Sequence, residues 1–199
     1  MPSQSSEAFI LRTTRYGDND LVATLFTREF GKVAVMARGA RSSRRRFGSA
    51  GLEPFVAFQA QWQSDPRREL AVLTQAARPL AFSGLMADLD SLAAGWRVLE
   101  LVLSFKQPWQ PEPELFELAL QCFRRLDQGF DPAHRLWFEA RLLLLEGLGD
   151  GRMQELARRF DKAPAAGDWR SAEEWLDRQL LTHLGHGLKT SGYDRKLEA

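Results

Sequence analysis

The spacing of apolar residues changes near residue 80, and this change constrains the fold more than any other feature of the sequence. Before it, short runs rich in β-forming residues are separated by turn residues. After it, apolar residues recur every three to four positions, which is the period of a helix packed on one face. We therefore predict an α+β chain with two domains, an all-β domain over residues 1–80 and a helical domain over residues 81–199.

The first part has the pattern of a small barrel. Five strands are predicted, and they cover residues 8–13, 21–27, 32–37, 55–62 and 69–74. Five short strands with a long loop after the third fit an OB-fold-like barrel, a type that binds oligonucleotides across one face. The same pattern fits an SH3-like barrel equally well.

The second part has the pattern of a helical bundle. Asp131-Pro132 combines an N-cap residue with a proline at the first helical position. Ser171-Ala-Glu-Glu174 has the form of a capping box at the start of the last helix. Helices are predicted over residues 84–105, 111–129, 132–147, 150–160 and 171–185, with a loop over residues 161–168.

Charge is distributed unevenly along the chain. The 27 basic and 26 acidic residues give a formal net charge of +1, but residues 1–80 carry +5 and the remainder carries −4. From Phe30 to Leu52 there are six basic residues and no acidic one, and five of the six are arginines within residues 38–46. The planar guanidinium group of arginine binds phosphate through two hydrogen bonds and stacks on nucleobases. The asymmetry predicts a polyanion-binding surface in the first part, with a solvated loop as the alternative.

The candidate nucleic-acid-binding residues are these six basic residues and the aromatic residue that follows them. Phe47 is placed either to stack on a base or to anchor the loop to the barrel, and the sequence leaves both interpretations open. Trp62, at the end of a predicted strand, is interpreted as a core residue, with base stacking as the alternative. The candidate set is Lys32, Arg38, Arg41, Arg44, Arg45, Arg46 and Phe47.

The sequence offers little for catalysis, metal binding or membrane insertion. One cysteine excludes an internal disulfide and every multi-cysteine zinc site. Phosphate-binding loops, nucleophile elbows and dinucleotide fingerprints are absent from the sequence, so we expect neither an enzyme nor a cofactor. The polar N-terminus and the lack of a long apolar run predict a cytoplasmic protein.

Several strings in the sequence resemble a known family. They are Tyr16-Gly-Asp-Asn-Asp20, Leu25-Phe-Thr-Arg-Glu-Phe-Gly-Lys-Val33, Ala37-Arg-Gly-Ala-Arg-Ser-Ser43 and the stretch from Phe47 to Pro54-Phe55. In order and spacing they resemble the N-terminal domain of bacterial RecO, the recombination mediator. Phe138-Glu-Ala-Arg-Leu-Leu-Leu-Leu-Glu-Gly147, His183-Leu-Gly185 and Leu188-Lys-Thr-Ser191 are similar to that family's helical domain.

This resemblance implies an OB-fold followed by a helical domain and a non-enzymatic role in DNA repair. It implies binding of single- and double-stranded DNA, annealing of complementary strands, and partnership with RecR and the single-stranded-DNA-binding protein in loading RecA. It also places the six basic residues named above on the family's basic strand and loop. A nucleoid-associated cytoplasmic location follows from this role.

Two departures from the family set the remaining expectations. Many relatives carry a four-cysteine zinc module, which a chain with Cys122 alone cannot form, and length is missing between Gly147 and Ser171. The chain is therefore expected to be a shortened form without the module. Arg135 and Arg141 are the candidates for meeting an acidic protein tail. The alternative hypotheses are a protein-docking adaptor with little DNA binding of its own and an RNA-binding barrel.

Overall fold

The computed structural model describes residues 3–40, 42–47, 52–65, 67, 69–162 and 169–192. The chain forms two compact units by its internal contacts. The first comprises Met1–Ala81 together with Lys106–Phe116, and the second comprises Phe82–Phe105 together with Glu117–Ala199. The domain division at residue 80 stays a prediction, and the segment Lys106–Phe116 is a part of the first unit that apolar spacing did not indicate.

The first unit contains a closed barrel of five strands. They are β1 (Ser3–Tyr16), β2 (Asp20–Thr27), β3 (Gly31–Ala37), β4 (Val56–Gln63) and β5 (Ala71–Ala81). The order around the barrel is β1-β2-β3-β5-β4, and β1 pairs with both β2 and β4. Strands β3 and β5 are parallel, whereas the other neighbours are antiparallel. This is the order of an OB-type Greek-key barrel, so the α+β class and the OB-like barrel are confirmed.

Alternating side chains build the interior of the barrel. In β3, Val33, Val35 and Ala37 are buried, while the residues between them are partly exposed. This period of two is what a strand with one buried face requires. Trp62 is fully buried, and Phe30 packs edge-on against its ring with centroids 5.2 Å apart. The interpretation of Trp62 as a core residue is therefore correct.

The helices largely follow the predicted pattern. Besides α1 (Arg44–Phe47) in the long loop, they are α2 (Ser83–Ala87), α3 (Leu89–Phe105), α4 (Pro113–Asp127), α5 (Pro132–Leu145), α6 (Gly151–Lys162) and α7 (Trp169–Leu184), followed by a 3-10 turn at Lys189–Gly192. Asp131 caps α5 as predicted, and its carboxylate accepts a hydrogen bond from the Ala133 N–H at 2.7 Å. Residues 163–168 of the predicted loop lie outside the described residues.

Two helix predictions are wrong at their boundaries. The single helix expected over residues 84–105 is broken at Asp88, whose backbone is extended and whose carboxylate accepts the Ser91 N–H at 2.8 Å. Asp88 thus acts as an N-cap that restarts the helix. The last helix begins at Trp169, so the predicted capping box at Ser171 lies within the helix.

The segment Lys106–Phe116 packs on the outside of the barrel. The Trp109 N–H donates to the Lys32 carbonyl oxygen at 2.9 Å, and Pro108 forms an isolated parallel bridge with Lys32. Phe116 stacks on Phe9 with ring centroids 5.3 Å apart and lies 6.0 Å from Phe26. The segment therefore covers one end of the outer face of β1, β2 and β3.

Candidate nucleic-acid interface

The arginine-rich loop leaves the barrel at the end of β3 and is held close to it. The Gly39 N–H donates to Oδ1 of Asp20 at 2.7 Å, which ties the loop to the start of β2. The carbonyl oxygen of Gly39 accepts the N–H groups of Ser42 and Ser43 at 3.1 and 2.9 Å. Gly39 has a φ of +61°, a left-handed conformation in which glycine is unstrained. These hydrogen bonds hold the described residues Gly39, Ser42 and Ser43 beside the ends of β2 and β3.

Phe47 lies at the end of α1 in this loop, and its side chain is inside the barrel. Its side chain is 3% exposed and belongs to the barrel core together with Leu52. A buried ring presents no face to a base, so the structure corrects the stacking interpretation of Phe47. The alternative interpretation, an anchor that pins the loop to the barrel, agrees with its position.

Arg46 stabilises the loop with its guanidinium group. Its Nη2 donates to the Arg38 carbonyl oxygen at 2.7 Å, and its Nε donates to Oγ of Ser43 at 3.1 Å. The guanidinium carbon also lies 5.1 Å from the centroid of the Phe47 ring. Arg46 is exposed and brought next to Arg38, so it positions the loop and adds positive charge beside Arg38.

Two of the other candidate basic residues, Arg38 and Lys32, lie at opposite ends of β3. Arg38 is exposed at the end of β3, whereas Lys32 lies six residues earlier, about 20 Å away along the strand. Partial burial lowers the pKa of the Lys32 ammonium, because desolvation disfavours its charged form. Arg41 lies outside the described residues, and Arg44 and Arg45 are described only as backbone of α1. Lys32 therefore does not belong to the loop cluster.

Two exposed arginines that were not among the candidates lie on β1, and Arg15 lies at the end of the sheet where the loop begins. Arg15 pairs with Leu21 across β1 and β2, and Leu21 pairs with Ala37, the residue before Arg38. Arg15 and Arg38 are both exposed and occupy the same end of the sheet. Arg12 is also exposed, and it pairs with Thr24 of β2. The hairpin register of β1, β2 and β3 is the information that would have added them to the site.

The predicted partner-binding pair is divided by the structure. Arg141 is exposed on α5, but Arg135 is only 3% exposed. Arg135 Nη1 donates to Oε1 of Glu139 at 3.0 Å, and its Nη2 pairs with Glu173. The assignment of Arg135 to a partner surface is wrong, because the bundle already uses its guanidinium internally.

A zinc module does not fit this chain. It has one cysteine, and Cys122 is buried, with its Sγ 3.6 Å from the His134 carbonyl oxygen. Burial raises the pKa of this thiol because the thiolate would be desolvated. Among the described residues, no three His, Cys, Asp or Glu side chains are grouped to hold a metal ion. No helix in the same part of the chain combines the length and apolar character needed to cross a membrane.

Comparison with known proteins assigns both units to one family. The model of the recombination protein O N-terminal domain matches residues 1–78, and the model of the recombination protein O C-terminal domain matches residues 86–149. The chain belongs to the RecO family. The resemblance inferred from the sequence strings is thus confirmed.

Individual RecO proteins align over much of the chain. The DNA repair protein RecO of Salinibacter ruber is 33% identical over 144 residues, covering 72% of this chain and 55% of the relative. That of Anaeromyxobacter sp. strain K is 40% identical over 140 residues, covering 70% and 55%. That of Bacillus velezensis is 40% identical over 128 residues, covering 63% and 48%. The chain spans about half the length of the curated RecO relatives that it matches.

Proposed function

We propose that this chain is a non-enzymatic DNA-binding mediator of recombinational DNA repair. The observation that carries this proposal is the group of exposed arginines, Arg15, Arg38 and Arg46, at one end of a closed OB-type barrel. Arginine guanidinium groups bind phosphate oxygens bidentately. The names of the relatives, DNA repair protein RecO, support the same role.

The mechanism of this proposal is charge neutralisation. Phosphates of one strand bind the arginines, which release counterions and lower the repulsion from a second strand. Two complementary strands then approach closely enough for their bases to pair. Family membership supports binding of both single- and double-stranded DNA, with RecR and the single-stranded-DNA-binding protein as partners in loading the recombinase. The nucleoid within the cytoplasm is the location that fits this role.

The test compares two double variants with the same change in net charge. Arg15→Ala/Arg38→Ala removes two exposed arginines from the barrel, and Arg124→Ala/Arg158→Ala removes two from α4 and α6. Single-stranded DNA binding is titrated at several salt concentrations by fluorescence anisotropy. The barrel variant is expected to bind more weakly and to lose about 1.4 from the slope of log K against log salt, at about 0.7 per phosphate contact. The helix variant is expected to keep the slope of the wild type.

Equal slopes for the wild type and both variants would contradict the assignment of these arginines. Failure of the wild type to bind any DNA at low salt would contradict the proposed function itself. In that case, capture of a repair partner by the same chain would favour the docking adaptor.

A further inference from the structure

The barrel unit has two exposed aromatic side chains on its described residues, and neither was a candidate for stacking. Tyr16 at the end of β1 is 60% exposed, and Trp109 in the segment beside β3 is 45% exposed. Phe47 and Trp62, the two aromatic residues considered from the sequence, are buried. Proteins that bind single-stranded nucleic acid combine cations for the phosphates with exposed aromatic rings for the bases.

The register of the strands places Tyr16 on the outer face of β1, β2 and β3. Residues directly opposite each other in antiparallel strands share a face. Thr14 pairs with Val22 and Val22 with Met36, on the face opposite to the core residues Ala23 and Val35. Tyr16 follows Thr14 by two residues, so it lies on the same outer face.

A bulge in β1 adds a cation to this face. Ile10 pairs with Leu25 inside the barrel, but Arg12 pairs with Thr24, so the register shifts by one residue at Leu11. Without the shift, Arg12 would follow the inward alternation of Ile10. The shift puts the exposed Arg12 on the outer face, as bulges do when they redirect a side chain.

Trp109 lies beside the edge of β3, near the end of this face that carries Phe26. Its N–H donates to the carbonyl oxygen of Lys32, which pairs with Phe26 on the outer face. Trp109 has a φ of +62°, a conformation that is strained for a bulky residue. The hydrogen bond to β3 fixes this half-exposed tryptophan at the edge of the outer face.

We propose that the outer face of β1, β2 and β3 holds a segment of single-stranded DNA, with Tyr16 and Trp109 stacking on bases at its two ends and Arg12 contacting a phosphate between them. This inference rests on the proposed function and names the residues that distinguish an unpaired strand from a duplex. From Asp20, opposite Tyr16, to Phe26, beside Lys32, β2 runs six residues, or about 20 Å. The bound segment therefore has to span about 20 Å between the two rings.

The experiment measures binding of the full chain to an oligothymidine, to a duplex and to an abasic oligodeoxyribose phosphate of the same length. Trp109→Ala is expected to bind the oligothymidine about 5- to 100-fold more weakly, the range for loss of one stacked base. Its duplex binding and its salt slope are expected to equal those of the wild type, because paired bases are not available for stacking. Trp109→Phe is expected to recover most of the loss, and Tyr16→Ala to behave like Trp109→Ala.

Two controls make the result specific. Trp96→Ala removes a tryptophan of similar exposure, 41%, from α3 and is expected to bind every ligand like the wild type. The abasic oligomer carries the same phosphates without bases, so both stacking contacts are lost, and the wild type is expected to bind it more weakly than Trp109→Ala binds the oligothymidine. This arm requires no variant and is independent of any folding defect.

The outcomes separate this inference from the proposed function. A wild type that binds DNA through the loop arginines, with Trp109→Ala and Tyr16→Ala unchanged, would overturn the stacking path and leave the proposed function intact. Equal losses of duplex and single-strand binding in Trp109→Ala would also overturn it, because stacking on a free base acts on the single strand alone. A wild type that binds no DNA would overturn both.

Discussion

Glu139 is a charged residue that is fully buried and paired with two arginines. Its carboxylate is fully buried in the second unit, and its Oε1 accepts hydrogen bonds from Nε of Arg97 at 2.6 Å and from Nη1 of Arg135 at 3.0 Å. Arg97 also forms an ion pair with Asp177, and Arg135 also forms one with Glu173. This ionic network joins α3, α5 and α7; Arg97, Arg135 and Glu139 are buried, whereas Glu173 and Asp177 are partly exposed to solvent.

The charge of Glu139 also makes the stability of the helical unit depend on pH. Burial by itself would raise the pKa of Glu139, but Arg97 and Arg135 outweigh it and hold the pKa below its ordinary value. A carboxylate with a lowered pKa contributes stability above its unfolded pKa of about 4.3. That contribution is lost as the pH falls through the lower, folded pKa.

We predict that Glu139→Gln destabilises the protein at pH 7 by about 3–5 kcal/mol, because it leaves two guanidinium groups buried with one anion fewer. Urea denaturation followed by circular dichroism measures the free energy of unfolding. The variant should also show a shallower loss of stability between about pH 5 and pH 3 than the wild type. Glu155→Gln, at an exposed site on α6, is the control and should lie within about 0.5 kcal/mol of the wild type.

At the scale of elements, the sequence predicted those features that a local pattern encodes. The alternation in β3 and the Asp131-Pro132 start of α5 are of this kind. The extent of β1 is different, since its polar ends show no apolar alternation and join the sheet by pairing with β2 and β4. The break at Asp88 was hidden because apolar residues continue at helical spacing on both sides of it.

The packing of the segment Lys106–Phe116 against β3 depends on Gly31. A Cβ at this position would lie 1.8 Å from the Gln110 carbonyl oxygen, and the φ of Gly31 is +66°. We predict that Gly31→Ala destabilises the protein by about 2–4 kcal/mol, since backbone strain and a clash with backbone atoms act together.

Gly17→Ala is the matched control for this prediction. Gly17 has a φ of +60°, but nothing lies within 4 Å of an added Cβ. This variant should therefore show only the conformational strain, about 1 kcal/mol. Chemical denaturation of both variants measures the difference, and equal losses would show that the contact with Gln110 contributes nothing.

At the scale of the molecule, the division of charge was the most useful prediction about the site. The excess of positive charge in residues 1–80 predicted a basic surface, and Arg38 and Arg46 are exposed, while the binding role of the loop stays a prediction. Position near the Phe138-Glu-Ala string was a poor guide for Arg135, whose partner Glu173 becomes its neighbour only when the helices pack. Tyr16, Arg12 and Trp109 were also beyond prediction, since a bulge and a distant segment bring them to the outer face.

Phe116 tests how the two units share one chain. It lies on α4, and its ring packs against Phe9 and Phe26 of the barrel. Phe123 lies on the same helix, and its ring packs against Phe82 in the second unit. Each ring is fully buried, so truncation of either is expected to cost about 3–5 kcal/mol.

We predict that the two truncations affect different parts of the protein. Phe116→Ala should speed amide hydrogen exchange mainly in β1 and β2, whereas Phe123→Ala should speed it mainly in α2 and α4. Hydrogen exchange read by mass spectrometry resolves these peptides. Identical exchange patterns for the two variants would contradict the division of the chain at Phe116.

The position of Lys106–Phe116 in the chain also bears on how the protein is made. The five strands leave the ribosome before the segment that completes their unit, and at about 5–20 residues per second the interval between Ala81 and Phe116 lasts about 2 to 7 s. During that time Phe9 and Phe26 have no Phe116 to cover them. The strands of the nascent barrel therefore expose an apolar patch to solvent until α4 emerges.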